Sequence, residues 1–162
     1  MKYMVLCGAA VFLLLNVLPV PHRITHPVLD KSLSIGADPD VPRPVVKILE
    51  RSCMDCHSNG TRVPWYGHVA PASWLMARDV AHARQAMNLS AWGASKPAVQ
   101  VALAAAACAD VKGGRMPKPQ YLLLHPEARL SQADVEVVCG WQKTAMAAMI
   151  RKHQKTQQEI PE

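Results

Sequence analysis

Within 162 residues, one stretch of five limits the possible folds more than any other: Cys53-Met54-Asp55-Cys56-His57. On the last turn of a helix, two thiols three residues apart reach out from one side, and the imidazole that follows turns beneath whatever they hold. This C-x-x-C-H spacing is the attachment pattern for c-type haem, in which the thiols meet vinyl groups along one edge of the porphyrin and the histidine ligates the iron. The pattern implies one covalent haem c per chain, held by Cys53 and Cys56 with His57 as the metal ligand. A structural zinc site wants a second Cys or His pair at short spacing, which Cys108 and Cys139 do not supply. A thioredoxin-like redox pair wants a preceding strand within a βαβ pattern, and neither is visible. A disulfide between Cys53 and Cys56 remains as the other alternative.

The surrounding pattern is helical. Val45, Ile48, Leu49 and Cys53 recur at spacings of three and four after Pro42 and Pro44, so a first helix from Val45 to about Cys56 runs into the thiol pair. Pro71 to about Met87 reads as a second, with proline in its first turn and Trp74, Leu75, Arg78, Ala81 and Gln85 following. An Ala-rich third helix runs from Lys96 to Lys112 and stops at Gly113-Gly114. The fourth begins at Ser131, whose side chain can cap it while Asp134 favours its positive end; Val135, Val138, Cys139, Gln142, Ala145 and Met149 mark its inner stripe. The expected fold is all-α, a small c-type cytochrome-like domain of about four helices with long loops over residues 45–150, preceded by an N-terminal membrane helix. Only 5% of residues are aromatic, with a single Phe. Such a core leans on Ala, Val, Leu and Met, and a bulky apolar cofactor would fill it well.

The membrane helix is read from the start of the chain, where Lys2 precedes an apolar stretch from Tyr3 to Val20 interrupted only by Gly8 and Asn16. Residues 1–22 read as a signal anchor or a signal peptide. No small-x-small cleavage site follows, which favours the uncleaved anchor, at the short edge of a bilayer span; Cys7 lies too early, and after Leu6, for lipidation. Haem is attached outside the cytoplasm, so the expected place is the periplasmic side of the bacterial inner membrane, with a soluble periplasmic protein as the alternative after cleavage. Residues 23–44, with Pro27, Pro39, Pro42 and Pro44, read as an extended tether, and residues 151–162 as a polar tail. The net charge is +6, but Lys and Arg are scattered, so nucleic-acid binding gains little support. The charge reads as a solvated basic surface, or as a docking face for acidic partners or anionic lipid.

The far side of the iron needs a partner or an opening. Met116 lies in Gly113-Gly114-Arg115-Met116-Pro117, where two glycines end a helix and a proline stiffens the chain, so its thioether can be presented from a loop. His125 and His68, also in loops, compete with it. Met76, Met87, Met146 and Met149 fall on predicted helices and read as core, and His82 and His153 as helix surface. His/Met ligation raises the reduction potential and leaves no easy place for substrate, which favours electron transfer over enzyme chemistry. Cys108 and Cys139, on different helices, invite a disulfide in an oxidising compartment, unpaired core thiols being the alternative. Trp65 and Tyr66 are the aromatic residues expected against the haem. Arg62, Arg78 and Arg115 are the candidates to neutralise its propionates, or solvated surface residues.

From Cys53 to Trp141 the chain resembles the small haem-binding domain family of bacterial exported proteins. The matching segments are Cys56-His57-Ser58-Asn59, Pro64-Trp65-Tyr66, Ala70-Pro71-Ala72-Ser73-Trp74-Leu75, Gly114-Arg115-Met116-Pro117 and Leu124-His125-Pro126-Glu127-Ala128-Arg129-Leu130-Ser131. The chain departs from the family at Val63, where Trp is usual, and at Gly67, where Ser is usual. The resemblance implies covalent haem, an exported location and Met116 as the distal ligand. It implies no redox partner. The function expected is that of a monohaem one-electron carrier serving redox proteins it does not identify; the rival is a haem enzyme or gas or redox sensor with an open or labile sixth position.

Overall fold

A computed structural model describes residues 2–17, 24–28 and 30–158; within them every regular element is helical and no strand forms. The order is α1 (Lys2–Val17), α2 (Arg43–Ser52), α3 (Met54–His57), α4 (Ala72–Ala86), α5 (Pro97–Lys112), α6 (Pro119–Leu122) and α7 (Gln132–Gln158), with short 3-10 turns between them. The four expected helices are present. The first is broken in two at Cys53, which ends α2 by donating its N–H to Leu49 and starts α3 by accepting from His57 N.

Each long helix is bounded by the chemistry of its own ends. Pro44 sits in the first turn of α2 and Pro97 in that of α5, where a missing N–H costs nothing. Gly114, at φ +64°, takes the left-handed conformation that closes α5. At α7, Ser131 Oγ accepts from Asp134 N while the Asp134 carboxylate accepts from Ser131 N, two helix-end donors satisfied reciprocally.

The core lies where α2, α5 and α7 meet. Val45, Val46, Ile48 and Leu49 are buried along one side of α2, and α7 packs most extensively on α5. Trp92 and Trp141 pack together at its centre, ring centroids 5.1 Å apart. Cys108 on α5 and Cys139 on α7 form the expected disulfide, with Cα atoms 4.6 Å apart.

The segments read as tether and tail are corrected in part. From Asp30 onward the chain is folded onto the domain: Ile35 and Val41 are buried in the core, and Trp92 Nε1–H donates to Asp38 at 2.9 Å. Proline spacing suggested extension, but two apolar side chains had a core to enter. The tail is helical as far as Gln158, as the last turns of α7, and Arg151 pairs with Asp40 at 2.7 Å. At the other end, α1 is an apolar helix of 16 residues, about 24 Å long at 1.5 Å per residue. No helix among the described residues is long and apolar enough to cross a membrane; residues 18–22, counted with the anchor, lie outside the described residues. Asn16, the polar interruption, accepts the Ala70 N–H at 3.0 Å and so ties α1 to the domain.

Candidate functional site

The corner between α2 and α3 opens into a cavity of about 420 Å³, within the range of small-molecule and cofactor pockets. Cys53, Cys56 and His57 form one part of its wall, and both thiols are free. Burial pushes the Cys53 thiol up to about 12, and burial with the neighbouring Asp55 and Asp79 carboxylates pushes Cys56 up to about 11. Both are therefore protonated at neutral pH.

His57 is fixed by the end of another helix. Met87 follows the last turn of α4, where carbonyls lack helical partners, and its C=O accepts from His57 Nδ1 at 2.9 Å. Burial lowers the His57 pKa, which favours the neutral ring. With Nδ1–H donating to a carbonyl, Nε2 keeps its lone pair for a metal, the arrangement that orients ligating histidines. Arg84 holds the chain beyond it, donating to Ser58 O at 2.7 Å and Thr61 Oγ1 at 2.8 Å.

Met116 lines the same cavity, brought there because the chain reverses at Gly114 and its N–H returns to Asp110 O. Of its two loop rivals, His68 is exposed and lies outside the cavity wall. His125 is in the wall, but both its nitrogens are engaged, Nε2 with Tyr66 Oη at 2.6 Å and Nδ1 with Glu127 at 3.0 Å. Three residues assigned to core or surface also reach the wall: Met76, His82 and Met87. The signal was available in Met76, Asp79, Ala83 and Ala86, which repeat at helical spacing along one side of α4.

Tyr66 lines the cavity as expected and Trp65 does not: its residue surface is 77% exposed, and it touches Tyr66 edge to face. The reason is local. Trp65–His68 is a 3-10 turn, where neighbours project about 120° apart, so consecutive residues cannot both face inward. Of the arginines, Arg62 is at the cavity and reaches Asp55 at 3.3 Å, while Arg78 and Arg115 do not line it themselves but pair with two carboxylates that do, Asp79 at 3.7 Å and Asp110 at 2.8 Å. The cation that the sequence did not single out is Lys118, in the wall and 2.7 Å from Asp79 Oδ1, an ion pair rather than an aligned hydrogen bond. Tyr121 Oη donates to Asp55 at 2.9 Å; burial and that carboxylate hold its phenol well above the ordinary value, so it remains a donor.

The donor set fits the cofactor that C-x-x-C-H implies. Two thiols and an imidazole with one nitrogen free stand on a wall that also includes the methionines Met76, Met87 and Met116, and Ile48, Leu49, Leu75 and Leu103 make much of the rest apolar. The profile of a family described as a haem-binding domain matches residues 10–144 of the chain. No curated protein and no solved structure matches it.

Proposed function

This chain belongs to the haem-binding domain family, and from that premise we propose that it is a monohaem c-type cytochrome, a one-electron carrier on the periplasmic side of the membrane. The observation that carries the reading is the sharing of one cavity by two free thiols, a neutral imidazole and the Met116 thioether. When bound, haem supplies reversible one-electron chemistry at iron. Cys53 and Cys56 would hold it, His57 Nε2 would bind the metal under the orientation set by Met87, and Met116 would offer its thioether as a further ligand. Ile48, Leu49, Leu75 and Leu103 would cover much of the haem with apolar surface. The N-terminal apolar segment keeps the domain at the membrane, consistent with the exposure of nearly every side chain on α1. Partners are redox proteins that meet a basic surface.

Expression of the exported chain in a host competent in cytochrome maturation tests this. The expected product is coloured, carries the mass of one haem, and shows a c-type reduced spectrum that Cys53→Ser with Cys56→Ser abolishes. Reduced wild type should take up carbon monoxide slowly or not at all, and Met116→Ala rapidly. A colourless product at the bare polypeptide mass overturns the reading, while rapid uptake by the wild type moves it to an enzyme or sensor with an open position.

A further inference from the structure

A run of polar contacts joins the cavity wall to solvent, and ligation uses none of it. Tyr66 Oη lies 2.6 Å from His125 Nε2, and His125 Nδ1 lies 3.0 Å from Glu127 Oε1. The His125 ring stacks on Tyr121, centroids 4.2 Å apart at 13°. Tyr66, Tyr121 and His125 line the cavity; the Glu127 side chain is 63% exposed. A titratable ring with both nitrogens bonded therefore stands between the cavity and the surface.

We propose that His125 is a proton-binding site coupled to the electron in the cavity, so that the protein carries a proton with each electron. The inference rests on the haem reading above. In the balanced step, one electron from a donor protein, which is thereby oxidised, would reduce the bound haem, and one proton from solvent would add to His125. Reoxidation returns both.

The contacts explain how the ring accommodates either state. In the neutral ring, Nδ1–H donates to Glu127 and Nε2 accepts from the Tyr66 hydroxyl. A proton on Nε2 reverses the second bond: the ring now donates to Tyr66 Oη, and the hydroxyl hydrogen turns elsewhere. Neither state leaves a nitrogen unpartnered. An electron adds negative charge within apolar walls, where a positive ring nearby is favoured far more than in water. By linkage, the electron raises the proton affinity as much as the proton raises the electron affinity. The charged and titratable groups facing His125 are Tyr66 from the Trp65–His68 turn, Tyr121 from α6 and Glu127 two residues on. Beyond Tyr121 stands Asp55 on α3, itself paired with Arg62. Glu127 favours the imidazolium directly; Arg62 opposes it from further away.

The test is the midpoint potential of the matured full-length protein, measured spectroelectrochemically between pH 5 and 8. The expected result is a potential that falls as pH rises, with one proton per electron, about 59 mV per pH unit for a one-electron couple, as the limiting slope. His125→Gln, which keeps a donor and an acceptor but cannot take the proton, should flatten it. Glu127→Gln should move the sloping region to lower pH. A flat wild-type profile, or a slope that persists in His125→Gln, overturns the proposal. If His125→Gln fails to mature, an unmoved profile in Glu127→Gln overturns it instead. Those results arise in protein that contains haem; a colourless chain overturns the haem reading as well, and the two failures are therefore distinct.

Discussion

At Gly67 a side chain has no room: a Cβ there would lie 2.8 Å from Met76 Sδ and 2.8 Å from Val63 Cγ1. Val63 and Gly67 are the two positions at which the chain departs from the pattern it resembles, and they are neighbours in space, so the two departures are one packing arrangement. Gly67→Ser should cost roughly 1–3 kcal/mol by overpacking, partly recovered by Val63→Ala, in urea unfolding of the two variants; equal stability of Gly67→Ser and wild type would contradict this. The same scale shows which site residues were legible. Cys53, Cys56 and His57 were, because their chemistry depends on spacing within one helical turn. Trp65 was misassigned because the geometry of a 3-10 turn separates it from Tyr66, and Lys118 was missed because its partner Asp79 is distant in the chain.

Helix ends and helix faces were the most legible elements, since caps act within a few residues. Ser131 with Asp134, Pro97 and Gly114 all stand where local chemistry puts them. What caps cannot reveal is which helices touch. The Cys108–Cys139 disulfide joins α5 to α7 across a sequence separation of 31 residues. Replacing both by Ser removes a constraint on the unfolded chain worth about 3–4 kcal/mol for a loop of that length, and the denaturant midpoint should fall accordingly. An unchanged midpoint would show that packing of α5 on α7 suffices. The tether illustrates the opposite case: its prolines are real, but Ile35 and Val41 found partners that only assembly of α2, α5 and α7 creates.

Across the whole molecule, Asp40 links the two segments that flank the domain. Its carboxyl is held below the ordinary value near 3.8, chiefly by the Arg151 guanidinium and also by Lys152, against the opposing effect of burial. The unfolded chain therefore binds the proton more readily. This contribution is fully present above about pH 3.8 and is lost as pH falls through the lower folded value. Amide exchange in the last turns of α7 should accelerate below that pH, and Asp40→Asn should produce the same acceleration at pH 6; unchanged protection in both would show that the pair holds nothing. The helical class, the helix ends and the grouping of two thiols with an imidazole were already readable in the order of the residues, because each is a matter of spacing within a turn or two. Folding alone set which wall Met116, Met76 and His82 share, that Met87 orients His57, and that His125 is bonded on both sides. Those are contacts between residues far apart in the chain, and they exist only once burial of α2, α5 and α7 has brought their loops around one cavity.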